Sequence, residues 1–281
     1  MVAFAANSVL NRLALLDGGI GAVDFATVRV AAGAVTLTAL AALRGGQWWK
    51  AARFSSAAAL ATYMLGFSLA YLALGAGAGA LVLFGAVQVT MFAGALRARE
   101  PVPRRRWIGT GIAMAGLLVL VGRVDLPVAE AMAFLFMAAA GVGWGVFSLL
   151  GRGASDPLGA TAAAFVLALP AVALATLAVG LEPMTGRGLL LAVLSGAVTS
   201  GLGYALWYAV LPRLARTSAA LAQLSVPVIA ALGGVALIGE PLTGRLMLAT
   251  LLVVGGVLVG TLAARRADGR LPQQDPRGRS G

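Results

Sequence analysis

Two asparagine side chains lie inside a long apolar stretch near the start of the chain, where an unpaired polar group is energetically costly. Asn7 and Asn11 are four residues apart, so a helix places both amides on one face. Two interpretations stay open. The amides hydrogen-bond the polar headgroup of a bound small molecule, or they bond to neighbouring helices.

Aromatic residues at helical spacing predict a stacking surface. Tyr63 and Ser200 fall near the centres of their apolar stretches, and Tyr204 follows Ser200 by one turn. Trp144 and Ser148 form another pair four residues apart. Tyr and Trp are ordinary residues of membrane interfaces, but Tyr63 and Tyr204 lie too deep for that position. We expect them, with Trp144, to line a cavity in which a ligand stacks.

Gln88 and Gln223 are the two glutamines inside apolar stretches. An unpaired buried amide is costly, so both should face a cavity or a neighbouring helix. Phe84 lies one turn before Gln88 and shares its face. These side chains extend the predicted binding surface.

The missing residue types exclude most catalytic chemistry. The chain has no cysteine and no histidine, which excludes disulfides, thiolate or imidazole metal sites and cysteine or histidine catalysis. Its ten acidic residues lie at the ends of apolar stretches, in connections or in the tail, and its one lysine, Lys50, lies in a connection. We therefore expect no enzyme, no cofactor and no metal, and no carboxylate relay for protons at mid-membrane.

The amino-acid composition indicates that the apolar stretches lie in a lipid bilayer. Of the 281 residues, 60% are hydrophobic and 11% are charged, and the mean hydropathy is +0.94. A soluble domain is about 25% charged, so a soluble globule is excluded. One bilayer crossing takes about 20 apolar residues, and the expected fold is an all-α membrane protein with ten spans: Val2–Leu16, Ala26–Leu43, Phe54–Leu74, Ala76–Leu96, Trp107–Val121, Ala131–Leu150, Leu158–Val179, Gly188–Leu211, Thr217–Ile238 and Leu246–Ala264.

The net charge of +11 marks topology. With ten spans, sixteen of the 21 basic residues fall in connections on the side of both termini and three fall on the opposite side. The positive-inside rule then predicts cytoplasmic termini in a bacterial inner membrane. No basic patch interleaved with aromatics supports nucleic-acid binding. The expected partners are the lipid bilayer and a small molecule, with a monomer as the simplest assembly.

Arginines within the spans have two interpretations each. Arg29 lies about one turn inside the second span, and it either pairs with Asp24 or Asp17 as a structural anchor or attracts a carboxylate at the external mouth. Arg12 is interpreted as a residue that extends its charge from the end of the first span toward the interface.

The sequence contains an internal repeat. The stretch from Ala80 to Glu100-Pro101 aligns with the stretch from Ala220 to Glu240-Pro241 at a constant offset of 140. Five helices in each copy make the copies inverted, as in many secondary transporters. We expect one repeat over 1–126, a second over 127–264 and a disordered basic tail over 265–281.

Four residues inside the spans are candidates for helix bending during gating. Pro170 and Pro227 lie deep in their spans, and Gly233-Gly234 follows Pro227 closely. Packing by close helix approach is the alternative role of these glycines.

The repeat resembles the EamA-type ten-helix exporters of the drug/metabolite transporter superfamily. The matching residues are Ala98-Arg99-Glu100-Pro101, Ile238-Gly239-Glu240-Pro241, Ala5-Ala6-Asn7-Ser8 and Trp144-Gly145. The chain departs from the family pattern because no tryptophan precedes Asn7 and because helix 4 has Gln88 near where helix 9 has Pro227.

The resemblance implies export of small metabolites by alternating access through a cavity between the repeats, and within the family the aromatic interior is most similar to that of aromatic amino-acid exporters. Export of cationic drugs is an alternative, because aromatic rings also attract cations. A channel or a lipid scramblase is a further alternative.

Overall fold

The computed structural model describes residues 1–16, 18–45, 47–100, 102–122, 126–152, 154–210, 213 and 216–268, with the side chains of 216–221 and 261–268 left out. This part of the chain is helical and contains no strand. It forms ten helices: α1 Val2–Leu16, α2 Ala22–Leu43, α3 Phe54–Ala70, α4 Ala76–Arg97, α5 Arg104–Val121, α6 Val128–Leu150, α7 Pro157–Val179, α8 Gly186–Val210, α9 Arg216–Gly233 with its continuation Gly234–Ile238, and α10 Gly244–Asp268.

Length and composition let five helices (α2, α4, α6, α7 and α8) cross a membrane unaided. Shorter apolar segments are α1, α3, Ala222–Ile238 and Gly244–Gly260. Large apolar side chains cover the outside of the bundle, as at Leu177, Leu206 and Leu251, which are 70%, 66% and 72% exposed. An outer surface of this kind is stable against lipid and not against water. The prediction of a many-helix membrane protein is confirmed.

The helices pack in an order that respects the predicted repeat. Helix α3 packs on α6, and its repeat counterpart α8 packs on α1. In the same way α4 packs on α6 as α9 packs on α1, and α3 packs on α7 as α8 packs on α2. The pairs α2–α7, α4–α9 and α5–α10 join each helix to its own counterpart. This exchange of contacts supports two five-helix copies.

A shared backbone corner precedes the two repeat glutamates. Arg99 has φ 54° and Gly239 has φ 75°, so both adopt the left-handed conformation at positions 140 apart. Arg99 takes it despite the steric cost to a residue with a Cβ. The next amides fold back on their helices, with Glu100 N donating to Ala95 O and Glu240 N donating to Gly234 O. Pro101 lies outside the described residues.

Two helices contain π-helical turns that the sequence did not predict. One runs over Ser195–Leu202 within α8, and the other over Gly234–Ile238 at the end of α9. A π turn adds a residue and rotates the faces of the helix beyond it, and such turns are frequent at functional sites. Of the predicted bending residues, Pro227 is buried in α9 and Pro170 is exposed on α7. Gly234 begins the second π segment.

Candidate functional site: a central aromatic cavity between two differently closed ends

A small cavity of about 40 Å³ lies inside the bundle. Six of the residues predicted to bind a ligand line it: Asn7, Tyr63, Phe84, Trp144, Tyr204 and Gln223. The volume has room for a few water molecules and is far below the roughly 300 Å³ of a small-molecule site. The cavity is therefore too small to hold a small-molecule ligand in this conformation.

The cavity lies where the two repeats meet. Its wall contains Phe4 from α1, which is the repeat counterpart of Trp144 at an offset of 140, and Leu83, which is the counterpart of Gln223 at the same offset. Phe67 and Tyr204 are related in the same way at an offset of 137. Paired lining residues of this kind are expected on a symmetry axis between inverted repeats.

Aromatic rings form much of the cavity wall. The Trp144 ring centroid lies 5.0 Å from that of Tyr63 and 5.4 Å from that of Tyr204. Phe4 also packs on Tyr204, with 5.4 Å between centroids. These separations are those of favourable aromatic pairs, so the rings hold one another in position. Phe4 and Phe67 were missed by the sequence reasoning, although their offsets to Trp144 and Tyr204 carry the signal.

Asn7 is oriented by the π segment of α8. Its Oδ1 lies 2.7 Å from Ser195 Oγ and 2.6 Å from Thr199 Oγ1, and Ser200 Oγ is at 3.5 Å. In a π turn, residues four and five apart share a face, which brings these three hydroxyls to one atom. Ser195 and Thr199 were not predicted to take part. A π turn has no clear sequence signal, which is why they were missed.

Arg29 is completely buried behind the cavity wall. Its Nη2 donates to Tyr63 Oη at 2.9 Å and its Nε donates to Ser200 Oγ at 3.2 Å. The guanidinium also lies over the rings of Tyr63 and Phe67, 5.3 and 4.8 Å from their centroids. Its remaining nitrogen, Nη1, has no hydrogen-bond partner.

The structure changes the prediction for Arg29. Helix α2 begins at Ala22 and not at Ala26, so Arg29 lies two turns inside the helix, deeper than an external mouth. The expected pair with Asp24 is absent: Asp24 Oδ2 accepts a hydrogen bond from Glu182 N at 3.1 Å, and Asp24 Oδ1 is buried without a partner. Asp17 lies outside the described residues. Among the residues that the structure does describe, no carboxylate is within ion-pair distance of Arg29.

Four other predicted residues lie away from the cavity wall. Asn11 donates to Ser68 Oγ of α3 at 2.9 Å, which is the helix-bonding interpretation of this asparagine. Ser148 donates to Trp144 O within its own helix. Ser200 is buried behind the wall beside Arg29, and Gln88 is half-buried on α4 outside the cavity.

One end of the bundle, here called the Glu240 end, is held by ionic and backbone contacts. Both oxygens of Glu240 accept the N–H of Ala76 at the start of α4, at 3.0 and 2.8 Å. Arg12 Nε lies 3.5 Å from Glu240 Oε1, and Arg12 Nη1 donates to Tyr71 O at 2.8 Å. Arg12 therefore joins α1 to the ends of α3 and α9, which corrects its interpretation as an interface-seeking side chain.

The absence of a side chain at Gly234 leaves room for the Glu240 carboxylate. A Cβ added to Gly234 would lie 2.5 Å from Glu240 Oε2. Such an approach is closer than van der Waals contact permits, so a side chain there would displace the carboxylate. The structure thus gives Gly234 a packing role at the Glu240 end, beside the predicted role in bending.

The opposite end, the Glu100 end, is open. A vestibule of about 490 Å³ lies there between the α2–α3 connection and the α6–α7 connection, and it reaches inward to Phe147 and Tyr208. Tyr208 stacks on Tyr204 of the central cavity, with 6.2 Å between centroids. Three basic side chains line the vestibule: Lys50, Arg53 and Arg152.

The two ends carry matching ion pairs. Glu100 lies 3.7 Å from Arg152 at the Glu100 end, and these residues are the counterparts of Glu240 and Arg12 at the offset of 140. The side chains of the Glu100 pair are 47% and 48% exposed, against 17% and 18% for the Glu240 pair. The same contact is thus sealed at one end and solvated at the other. Across the described residues, no cluster of three or more potential metal ligands occurs.

Similar proteins place this architecture in a family. The model of the EamA-like transporter family matches residues 131–262. An uncharacterized protein of Pseudomonas aeruginosa is 47% identical over 269 residues, covering 92% of this chain and 90% of its own. A solved crystal structure of a protein 22% identical to this chain shares its fold, with a TM-score of 0.66 and coverage of 95% of this chain and 98% of the other. The chain therefore belongs to the EamA-like transporter family, the multi-span membrane transporters of small molecules.

Proposed function

We propose that this protein exports small amphipathic metabolites, with aromatic amino acids as the first candidates, across the bacterial inner membrane. The observation that carries the proposal is the central cavity, which aromatic rings and the amide of Asn7 line together. A ring of the substrate stacks on Trp144 and Tyr204, as aromatic pairs do. The polar end of the substrate then faces the Asn7 side.

Alternating access is the proposed mechanism. Among the described residues, the ion pair at the Glu240 end is the more buried of the two and a vestibule lies at the Glu100 end, which is the asymmetry expected of a carrier open toward one side. The excess of basic residues assigns the Glu100 end to the cytoplasm. Substrate enters from there, the aromatic cavity closes around it, and the repeats exchange their conformations to open the Glu240 end.

Growth of an expressing host on toxic aromatic amino-acid analogues tests the proposed substrate. We expect resistance to these analogues, and loss of that resistance with Trp144→Ala at unchanged protein level. Trp107→Ala is a matched control, because Trp107 is an exposed tryptophan that packs on Phe92 away from the cavity. Resistance to cationic dyes without resistance to any analogue would favour the drug exporter, the alternative that cation–π attraction allows.

The positions of the acidic residues bear on what drives transport. Every described carboxylate lies toward an end of a helix or in a connection, and none lines the cavity. We therefore propose transport driven by the gradient of the substrate. Uphill movement in proteoliposomes under an imposed pH gradient alone would contradict this part of the proposal.

A further inference from the structure

Around Asn7 and Tyr63, the polar groups of the central cavity that have no protein partner are hydrogen-bond donors. Asn7 Oδ1 is occupied by the hydroxyls of Ser195 and Thr199, and among the described residues no acceptor bonds to its Nδ2. The hydroxyl of Tyr63 accepts from Arg29, so its own hydrogen is left for another partner. Because an amide nitrogen and a hydroxyl hydrogen donate, this side of the cavity suits an acceptor of hydrogen bonds.

A permanent positive charge stands behind these donors. Arg29 is 0% exposed, and a guanidinium stays protonated in proteins. The faces of Tyr63 and Phe67 offset part of the cost of burying it, yet a buried charge usually has an anionic partner. Nη1 has no partner, and no described carboxylate reaches the guanidinium. Arg29 is thus a buried cation with no anionic partner among the described residues.

The described residues that line the cavity include no acid. At the Glu240 end, Asp24 Oδ2 accepts from Glu182 N and Glu240 accepts from Ala76 N, while Asp24 Oδ1 is buried without a partner. Asp24 is not one of the residues that line the cavity, so its carboxylate is not placed to hold a ligand there. Of the acids at the Glu100 end, Glu100 faces Arg152, and Asp156 accepts the N–H of Gly159 at 2.9 Å.

The vestibule that leads toward the cavity is also mainly positively charged. Lys50, Arg53 and Arg152 line the vestibule, and Asp156 is the one acid among the described residues that line it. Clefts lined by one sign of charge concentrate ligands of the opposite sign. Entry and binding thus favour the same group.

We propose that the obligatory group of the ligand is a carboxylate, held by Asn7, Tyr63 and the buried charge of Arg29, and that no ammonium group is required. The inference rests on the proposed function in one respect, that the central cavity is the ligand site. It widens the substrate class from aromatic amino acids to arylalkanoates, and it excludes aromatic amines.

Binding to the purified full chain in detergent tests this, with thermal stabilisation as the readout and three probes: 3-phenylpropionate, L-phenylalanine and phenethylamine. We expect the two carboxylates to raise the melting temperature and the amine to have no effect. Tyr63→Phe keeps the ring and removes the donor, and it should weaken 3-phenylpropionate binding about tenfold, since a hydrogen bond to a charged group is lost. Thr62→Ala, on the exposed side of the same helix, should leave binding unchanged.

Arg29 is tested by a charge series. Arg29→Gln should abolish 3-phenylpropionate binding, and Arg29→Lys should restore part of it, because a structural role alone would not follow the charge. If Arg29→Gln does not fold, Tyr63→Phe decides. Failure of 3-phenylpropionate to bind, equal binding of phenethylamine, or an unchanged affinity in Tyr63→Phe would each overturn the inference.

The test separates the inference from the proposed function. Tyr63-dependent binding of 3-phenylpropionate without resistance to amino-acid analogues would leave the carboxylate site standing and overturn the export of amino acids. Resistance to the analogues together with equal binding of phenethylamine would do the reverse.

Discussion

At the scale of single residues, Trp144 links aromatic side chains of the two repeats in the cavity wall. It contacts Tyr63, Phe147 and Tyr204, so it connects helices of both repeats through ring contacts. Trp144→Ala should lower transport in proteoliposomes at least tenfold, since it removes a stacking surface worth about 1 kcal/mol beyond its buried area. Trp144→Phe should keep most of the rate. Equal rates for wild type and Trp144→Ala, with both proteins folded, would remove the cavity from the account.

The two asparagines of α1 differ in role. Asn11 bonds α3 through Ser68, whereas Asn7 lines the cavity. Asn11→Ala should lower the free energy of unfolding by about 0.6 kcal/mol, up to roughly 1.7 kcal/mol, the range for such bonds between membrane helices. The KM for the substrate should not change. Thermal unfolding and transport kinetics check this, with Asn7→Ala expected to raise KM. A raised KM in Asn11→Ala would place it in the site.

The residues of the cavity were predictable from the sequence, but not all of their partners were. The cavity aromatics were predictable, because Tyr and Trp ordinarily lie at the membrane interfaces and not at the centre of a span. These residues are Tyr63, Trp144 and Tyr204. The partners of Arg29 were not predictable. Its contact with Ser200 depends on the π segment of α8 and on the start of α2 at Ala22, which are both set by packing.

At the scale of elements, the contacts of Glu240 join the helix ends at its end of the bundle. Glu240→Gln keeps an acceptor for Ala76 N but removes the ion pair with Arg12. We expect the Glu240 end to open more often. The chain has no cysteine, so Leu83→Cys in the cavity wall is a clean reporter. Its labelling from the Glu240 side by an impermeant thiol reagent should accelerate severalfold in the Glu240→Gln background.

Glu100→Gln is the matched control for that experiment, because Glu100 is the repeat counterpart of Glu240 at the solvated end. It should not accelerate labelling from the Glu240 side. Equal acceleration by both substitutions would show that loss of any repeat glutamate loosens the bundle, and the separate roles of the two ends would then be wrong.

The helices themselves were largely predictable from apolar runs and prolines. Predicted and observed ends agree within a few residues, and α1 matches at both ends. The π segments in α8 and α9 were not predictable, since Gly, Ser and Thr in these stretches are equally compatible with an α-helix. The corners at Arg99 and Gly239 show the repeat in backbone conformation as well as in sequence.

At the scale of the whole molecule, the asymmetry of charge predicts which end faces the cytoplasm. Single cysteines at small exposed positions test the topology. Ala52→Cys lies at the Glu100 end and Gly186→Cys at the Glu240 end, where a side chain meets no other atom. In intact cells an impermeant thiol reagent should label the second and not the first. The opposite labelling would reverse the proposed direction of transport.

The small cavity and the vestibule describe a single state, and the proposed alternating access requires at least one more. Under the proposed function, a cavity of about 40 Å³ must expand to admit an aromatic metabolite. The paired contacts at the two ends suggest what the second state would be. In the repeat-related state, the Glu100–Arg152 pair would be buried and the Glu240–Arg12 pair would be exposed to solvent.

Counterflow in proteoliposomes tests the central claim, that this chain is a carrier with its site in the aromatic cavity, most directly. Vesicles preloaded with unlabelled L-phenylalanine should transiently accumulate labelled L-phenylalanine above its equilibrium level, with saturable kinetics and with loss of the effect in Trp144→Ala. A flux that rises linearly with concentration and is indifferent to preloading would indicate a channel. Either that flux or counterflow unchanged in Trp144→Ala would contradict the account.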